Sequence, residues 1–342
     1  MLRAVAGSLL LAIGLISVPP TNAFEVLLSE VEFFKEVPSA VTQTFDGLPT
    51  GTLVEDTNTG SDDPCRALFV IDDVHFLFED FEQNVSCWWS ANTSLSDGPL
   101  PVSPPHFLTS SGIGGFPQLP GRETISFGPG RAVQAFGFYL HSAVSATFIN
   151  QSPNEFDGWR IIVTEVDGKV TTTQTDGYLG AGPVPPYFGF LSETGIVSIR
   201  IESGNRPGDT AAGSAYNWSY DNVSRSEIRR VVGTRIFPWD RVSRINICSG
   251  GDVDVAILTD ELLDASSVDA NSVRLGPSEA QPEDFRFADV DHDGDADLIL
   301  EYRKDDTGIQ VTDTQVEVTG ATYQGEPIVG LERIDIYCKG RD

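Results

Sequence analysis

Positive charge is scarce in this chain. Its 342 residues hold 22 lysines and arginines against 50 aspartates and glutamates, a formal net charge of −28. That balance excludes a nucleic-acid binder, which needs a basic face against phosphate. It also sets the chain against an anionic membrane surface. Histidine is confined to His75, His106, His141 and His292, and none stands in an H-E-x-x-H frame, so a zincin is not expected. A hydrolase serine would need a G-x-S-x-G turn, which is missing; Ser111-Gly112-Ile113-Gly114-Gly115 reads as a loop. A phosphate-cradling P-loop is missing too. The cysteines show neither zinc-knuckle nor C-x-x-C spacing, which argues against metal or redox chemistry by thiols. Helical periodicity is weak throughout, with room for one short turn between Glu261 and Val268.

What is present begins with a leader. Arg3 supplies positive charge, Leu9 to Val18 supply an apolar stretch too short to span a bilayer comfortably, and Thr21-Asn22-Ala23 fits a cleavage site. Residues 1–23 are therefore expected to be a signal peptide, with the mature chain starting near Phe24. No later apolar run reaches the roughly 18 residues of a membrane helix. The expected place of work is outside the cytoplasm, secreted or at the cell surface. Cys65, Cys87, Cys248 and Cys338 fit that setting as disulfides. Four cysteines allow about three pairings. Cys65–Cys87 and Cys248–Cys338 keep each bridge inside one half of the chain, and the second would tie an opening strand to a closing strand.

The mature chain reads as all-β. Short runs rich in Val, Ile, Phe, Tyr and Thr alternate with Gly, Pro, Asn and Asp clusters, as a sandwich requires. Trp159 to Val166, then Asp167-Gly168, then Lys169 to Thr175 predicts a hairpin, because Asp-Gly suits a tight turn. Ile196 to Glu202 alternates apolar and polar side chains, the pattern of a half-buried strand. Length suggests two domains: an antiparallel β-sandwich over 24–226, a linker over 227–241, and a second sandwich over 242–342. The linker holds Arg225, Arg229, Arg230, Arg235 and Arg241 in or near it, the one locally basic stretch. It is expected to pair with acidic faces on both sides.

The most specific motif runs from Asp289 to Asp297. Asp289, Asp291, Asp293, Asp295 and Asp297 place a carboxylate at every second residue, with Gly294 permitting a turn. Unpaired, such carboxylates would repel each other. A calcium ion takes six to eight oxygens and removes that cost. The head of the pattern matches an EF-hand loop, but the position of the bidentate glutamate is Leu300, and Leu298-Ile299-Leu300 reads as a strand. A structural Ca2+ loop between β-strands is expected. Asp289, Asp291, Asp293 and Asp297 would ligate through side chains, and Asp295 through its carbonyl or side chain.

Asp252 to Thr259, Val268 to Gly276, Phe287 to Asp291 and Leu298 to Leu300 together resemble a module appended to many secreted bacterial proteins, as do Thr307-Gly308-Ile309, Val318-Thr319-Gly320 and Gly325-Glu326-Pro327-Ile328. The resemblance covers about the last hundred residues. It implies an accessory sandwich, Ig-like or jelly-roll-like, with no established activity. Val311 stands near where such modules often carry a cysteine, which would leave Cys248 as the substitute partner of Cys338. The first half resembles, more loosely, the sandwich domains of exosortase-sorted bacterial surface proteins. Phe45 to Pro49, Phe188 to Ser192, Ile196 to Ile201 and Tyr220 to Val223 carry that likeness, although the chain closes on Arg341-Asp342 without the sorting signal. It implies a jelly-roll-like shape in which first and last strands lie close, so that Asp46 and Asp221 could share a second metal ion.

Aromatic residues are the clue to a ligand. Trp88-Trp89 follow Cys87; Trp159, Tyr178, Tyr187 and Trp218 lie in or near loops, and flat rings beside Asp and Asn suit the stacking of sugar C–H faces. Adjacent Trp88 and Trp89 on a strand would point to opposite faces. The leading expectation is a secreted, calcium-binding, non-catalytic protein for recognition of a polysaccharide or cell-surface glycan. The alternatives are a calcium-dependent extracellular carbohydrate-active enzyme, with a carboxylate pair in the first domain, and a passive envelope or matrix component.

Overall fold

The computed structural model describes residues 24–43, 55–56, 66–80, 108–109, 121–144, 159–174, 186–203, 216–240 and 242–339. The expected signal peptide, Asp46, Cys65, Cys87, Trp88, Trp89, Tyr178 and Arg241 lie outside them.

The described chain is all-β apart from one short helix and three 3-10 turns. In the first half the strands are β1 (Glu25–Leu27), β2 (Val41–Gln43), β3 (Glu55–Asp56), β4 (Arg66–Ile71), β5 (Val74–Asp80), β6 (Leu108–Thr109) and β7 (Gly121–Ser126). They continue with β8 (Arg131–Val144), β9 (Trp159–Glu165), β10 (Val170–Gln174), β11 (Tyr187–Ser203) and β12 (Tyr216–Arg225). Strand β11 belongs to two layers. Its start pairs with β8 and β1, and its end pairs with β7 and β9. The two layers close over a core rich in phenylalanine: Phe76, Phe127, Phe136, Phe138, Phe188 and Phe190. The hairpin expected around Asp167-Gly168 is β9–β10, with Gly168 at φ 82° and the Asp167 Oδ1 accepting the Lys169 N–H at 2.9 Å.

Helix α1 (Glu30–Glu36) was not expected from the sequence. Seven residues cover only two turns, too few to display a 3.6-residue period. The helix stands because Phe33 is wholly buried against Leu27, Ala135 and Tyr187.

The second half adds β13 (Ile228–Val231), β14 (Thr234–Ile236), β15 (Arg244–Asn246), β16 (Asp252–Ile257), β17 (Arg274–Leu275) and β18 (Asp284–Ala288). It ends with β19 (Asp297–Arg303), β20 (Gln315–Ala321), β21 (Pro327–Arg333) and β22 (Asp335–Tyr337). One layer runs β14-β16-β19-β18, and β17-β20-β21 lies across from it. Between them sits an aliphatic core that includes Val255, Ile257, Leu298, Leu300, Val318 and Ile328, with Tyr302 its one fully buried aromatic. Strands β15 and β22 pair in parallel, and just beyond them Cys248 and Cys338 form a disulfide, with 4.9 Å between their Cα atoms. Opening and closing strands of this half are thus tied as expected.

The segment read as a linker is built into the sheet. Strand β13 pairs antiparallel with β8 and parallel with β21, so one sheet runs through both halves. Arg229 and Arg230 hold this seam through glutamates of the second half. Glu326 receives Arg230 through two bonds of 2.8 and 3.0 Å, and Arg131 at 2.9 Å. Arg229 meets Glu317 at 3.6 Å, and Arg225 donates to the Asp72 carbonyl at 3.0 Å. Chain approach is close here: at Gly130 a Cβ would stand 2.7 Å from the Leu262 side chain.

Candidate metal centre

The acidic loop connects β18 to β19 and folds over the outer face of their sheet. Hydrophobic burial anchors it. Val290 packs with Ala256 and Ile299, and only 4% of it is exposed. Behind it lies Asp297, the first residue of β19, which is fully buried. An ionised carboxylate so placed needs partners. Its Oδ1 accepts the Thr259 N–H at 2.9 Å and its Oδ2 accepts the Val290 N–H at 2.9 Å. The same side chain therefore locks the loop to the strand end and to the chain after β16.

Asp289 curls the loop. Its Oδ1 accepts the His292 N–H at 2.6 Å and its Oδ2 accepts the Gly294 N–H at 3.2 Å. That curl requires left-handed backbone at His292 (φ 68°) and Gly294 (φ 105°); glycine takes it freely and histidine does not. Asp289, Asp291 and Asp297 each offer a carboxylate oxygen, and these oxygens lie within 4.8 Å of one another. Asp291 Oδ1 is shielded from solvent and has no hydrogen-bond partner among the described residues. Three carboxylates at this range could hold one metal ion.

The five expected ligands divide. Asp289, Asp291 and Asp297 converge, while Asp293 and Asp295 stay exposed and outside the group. Asp293 instead accepts the Asp295 N–H at 2.9 Å. Leu300 is a core residue of β19, consistent with a loop that ends in a strand and not in an EF-hand helix. His292 is exposed.

Of the other candidate metal and ligand residues, only Asp221, Tyr187 and the strand residues Trp159 and Trp218 are among the described residues. Asp221 lies on β12 opposite Tyr139, and its expected partner Asp46 is outside the described residues. Tyr187 is only 3% exposed and does not offer its ring to solvent. It packs edge-on against Phe33 and Tyr139, with its hydroxyl directly over Gly137, where any side chain would collide. Burial pushes its hydroxyl pKa upward, with Glu30 nearby adding to the rise. Tyr187 opens β11 next to a loop, as expected, but helix α1 covers it. Conversely, Trp239, Phe285, Phe287, Tyr323 and Tyr337 are large apolar residues left exposed. The alternation Phe285-Arg286-Phe287 signals a strand, but not whether anything covers it.

No protein-family model and no curated protein matches the chain. Among solved structures the chain aligns with the adhesin domain of Epf from Streptococcus pyogenes at 7% identity, covering 89% of this chain and 94% of that one. The TM-score is 0.19, too low for shared architecture.

Proposed function

We propose that the loop from Asp289 to Asp297 holds a calcium ion that fastens the second sandwich. The observation that carries this reading is the buried, unpartnered Asp291 Oδ1 beside Asp289 and Asp297. An all-oxygen donor set is the preference of a hard cation. A divalent ion would relieve the mutual repulsion of three carboxylates and would occupy the lone pairs that backbone N–H groups leave free. Asp293 and Asp295 lie close enough in sequence to join when an ion draws the loop inward. The role is structural, because the loop is plugged by Val290 onto a β-sheet and the ligands serve as its turn and clasp.

Around this centre the chain is an exported, non-catalytic recognition protein for a surface or a polysaccharide. It comprises two sandwich halves that share the sheet through β13, with β14 belonging to the second half. The leader, the acidic surface and the aromatic pair Trp88-Trp89 support that reading. Among the described residues no helix is long and apolar enough to cross a membrane.

Thermal melts of the mature protein in EDTA and in added calcium test the metal. A bound ion adds about 2.7 kcal/mol at a hundredfold excess over Kd. The rise in Tm is expected in wild type and absent in Asp291→Asn. An unchanged melt in wild type would make the loop a solvated turn. Pull-down on insoluble polysaccharides, with Trp88→Ala and Trp89→Ala as controls, tests recognition separately; retention unchanged by both substitutions would dismiss the aromatic platform.

A further inference from the structure

The edge of the second sandwich is unfinished. Strand β18 ends the layer β14-β16-β19-β18 and pairs only with β19 among the described residues. Phe285 stands opposite Leu300 and Phe287 opposite Leu298, so both phenylalanines lie on the core-facing side. The row Ile236, Val255, Leu300 is fully buried up to that point and then emerges at Phe285, 44% exposed. The row through Ile257 and Leu298 emerges likewise at Phe287, 47% exposed. The two rings meet edge to face, 6.4 Å between centroids. The edge backbone faces outward as well, capped locally at Phe285. The Phe285 N–H is taken by the preceding Asp284 side chain at 2.8 Å rather than by the ladder. In an antiparallel pair the ladder bonds alternate, so Phe287 turns its N–H and C=O outward in the same way. Such an edge is a template for an added strand.

Charge selects the occupant. Glu283, in an exposed ion pair with Arg303 at 3.7 Å, and Asp284 stand at one end of β18, and the aspartate loop at the other. The strand's one cation, Arg286, is held on the opposite face by Asp254 at 2.8 Å and Glu301 at 4.0 Å. A second copy added antiparallel about Arg286 would bring Glu283 and Asp284 of one chain against the acidic loop of the other, between molecules of formal net charge −28. Self-pairing is therefore opposed, and a cationic strand is favoured.

We propose that β18 is a docking edge for an extended, lysine- or arginine-bearing segment of a partner protein. The segment adds as a strand beside β18, sets alternate apolar side chains on Phe285 and Phe287, and meets the acidic ends with its cations.

The probe is a fluorescent heptapeptide of alternating lysine and valine, titrated by anisotropy into the full mature chain in EDTA and again in calcium. Two controls accompany it: a glutamate-for-lysine version, and the lysine peptide with alternate backbone nitrogens methylated. The lysine peptide is expected to bind, to slow hydrogen exchange at Phe287, and to lose at least tenfold in affinity with Phe285→Ser/Phe287→Ser. Neither control peptide should bind. Equal binding of the methylated peptide to wild type would show charge adsorption and overturn the proposal, whether or not the double variant folds. Absence of binding by the lysine peptide would overturn it too. A peptide-free dimer in sedimentation, lost in the double variant, would assign the edge to a second copy instead.

Discussion

The two halves of this protein close β-sandwiches by different means. The first packs six phenylalanines between long strands, with β8 and β11 running 14 and 17 residues. The second has no phenylalanine among its core's buried residues and fills the same kind of space with Val, Ile, Leu and Ala around Tyr302. It adds local ties instead. The disulfide Cys248–Cys338 joins its ends, Asp264 and Asp269 accept N–H groups at the starts of two 3-10 turns, and Asp297 clasps the acidic loop. The lesson is one of range. Large rings bury much area each and need few neighbours to define a core. Short aliphatic strands bury less per residue and gain from covalent and hydrogen-bonded fasteners.

The sharpest way to break the comparison is to remove one ring. Phe138→Ala deletes a fully buried side chain packed at tilted angles among Phe136, Phe188 and Phe190. A loss of about 3–5 kcal/mol is expected by chemical denaturation. Next comes the second half's staple. Cys248→Ser with Cys338→Ser should cost about 2–4 kcal/mol, because the bridge spans 90 residues of sequence and limits the unfolded chain. If the halves melt separately, hydrogen exchange will show that loss in the second half alone. If β13 couples them, both will weaken together.

The seam supplies the third effect. Arg230 and then Arg131 hold the Glu326 carboxyl below its ordinary pKa. Its contribution is therefore complete above about pH 4.5, the ordinary value, and disappears as pH falls through the lower folded value. Glu326→Gln should destabilise by about 1–3 kcal/mol at neutral pH, with wild type and variant melts converging in acid. A constant gap at all pH values would mean that shape, not charge, matters at this position. The smallest effect has the opposite sign. The Tyr302 hydroxyl is buried in the second core without a hydrogen-bond partner among the described residues. Tyr302→Phe should raise stability by about 1 kcal/mol, read from the denaturation midpoint.

Much of the second half could be read directly because its devices are local. The alternation of aspartates from Asp289 to Asp297 announces a carboxylate loop whatever the fold around it. The Asp167-Gly168 pair announces a hairpin for the same reason. The aromatics misled, because a ring's fate depends on what lies above it. Tyr187 near a loop suggested a platform, and helix α1 covers it. Phe285 and Phe287 alternate with Arg286 as strand residues do, yet no described strand reaches over them.

The sequence by itself determined the β-class, the turns, the acidic loop and the fitness of Cys248 and Cys338 for a bridge. Each follows from residues within a few positions of one another, or from composition, where local sterics and charge suffice. Only the tertiary structure decided which three aspartates converge, that β13 sews the halves into one sheet, and which edge stays open. Those outcomes turn on neighbours far apart in sequence: Arg230 meets Glu326 across 96 positions, and a two-residue periodicity cannot say what it will pack against.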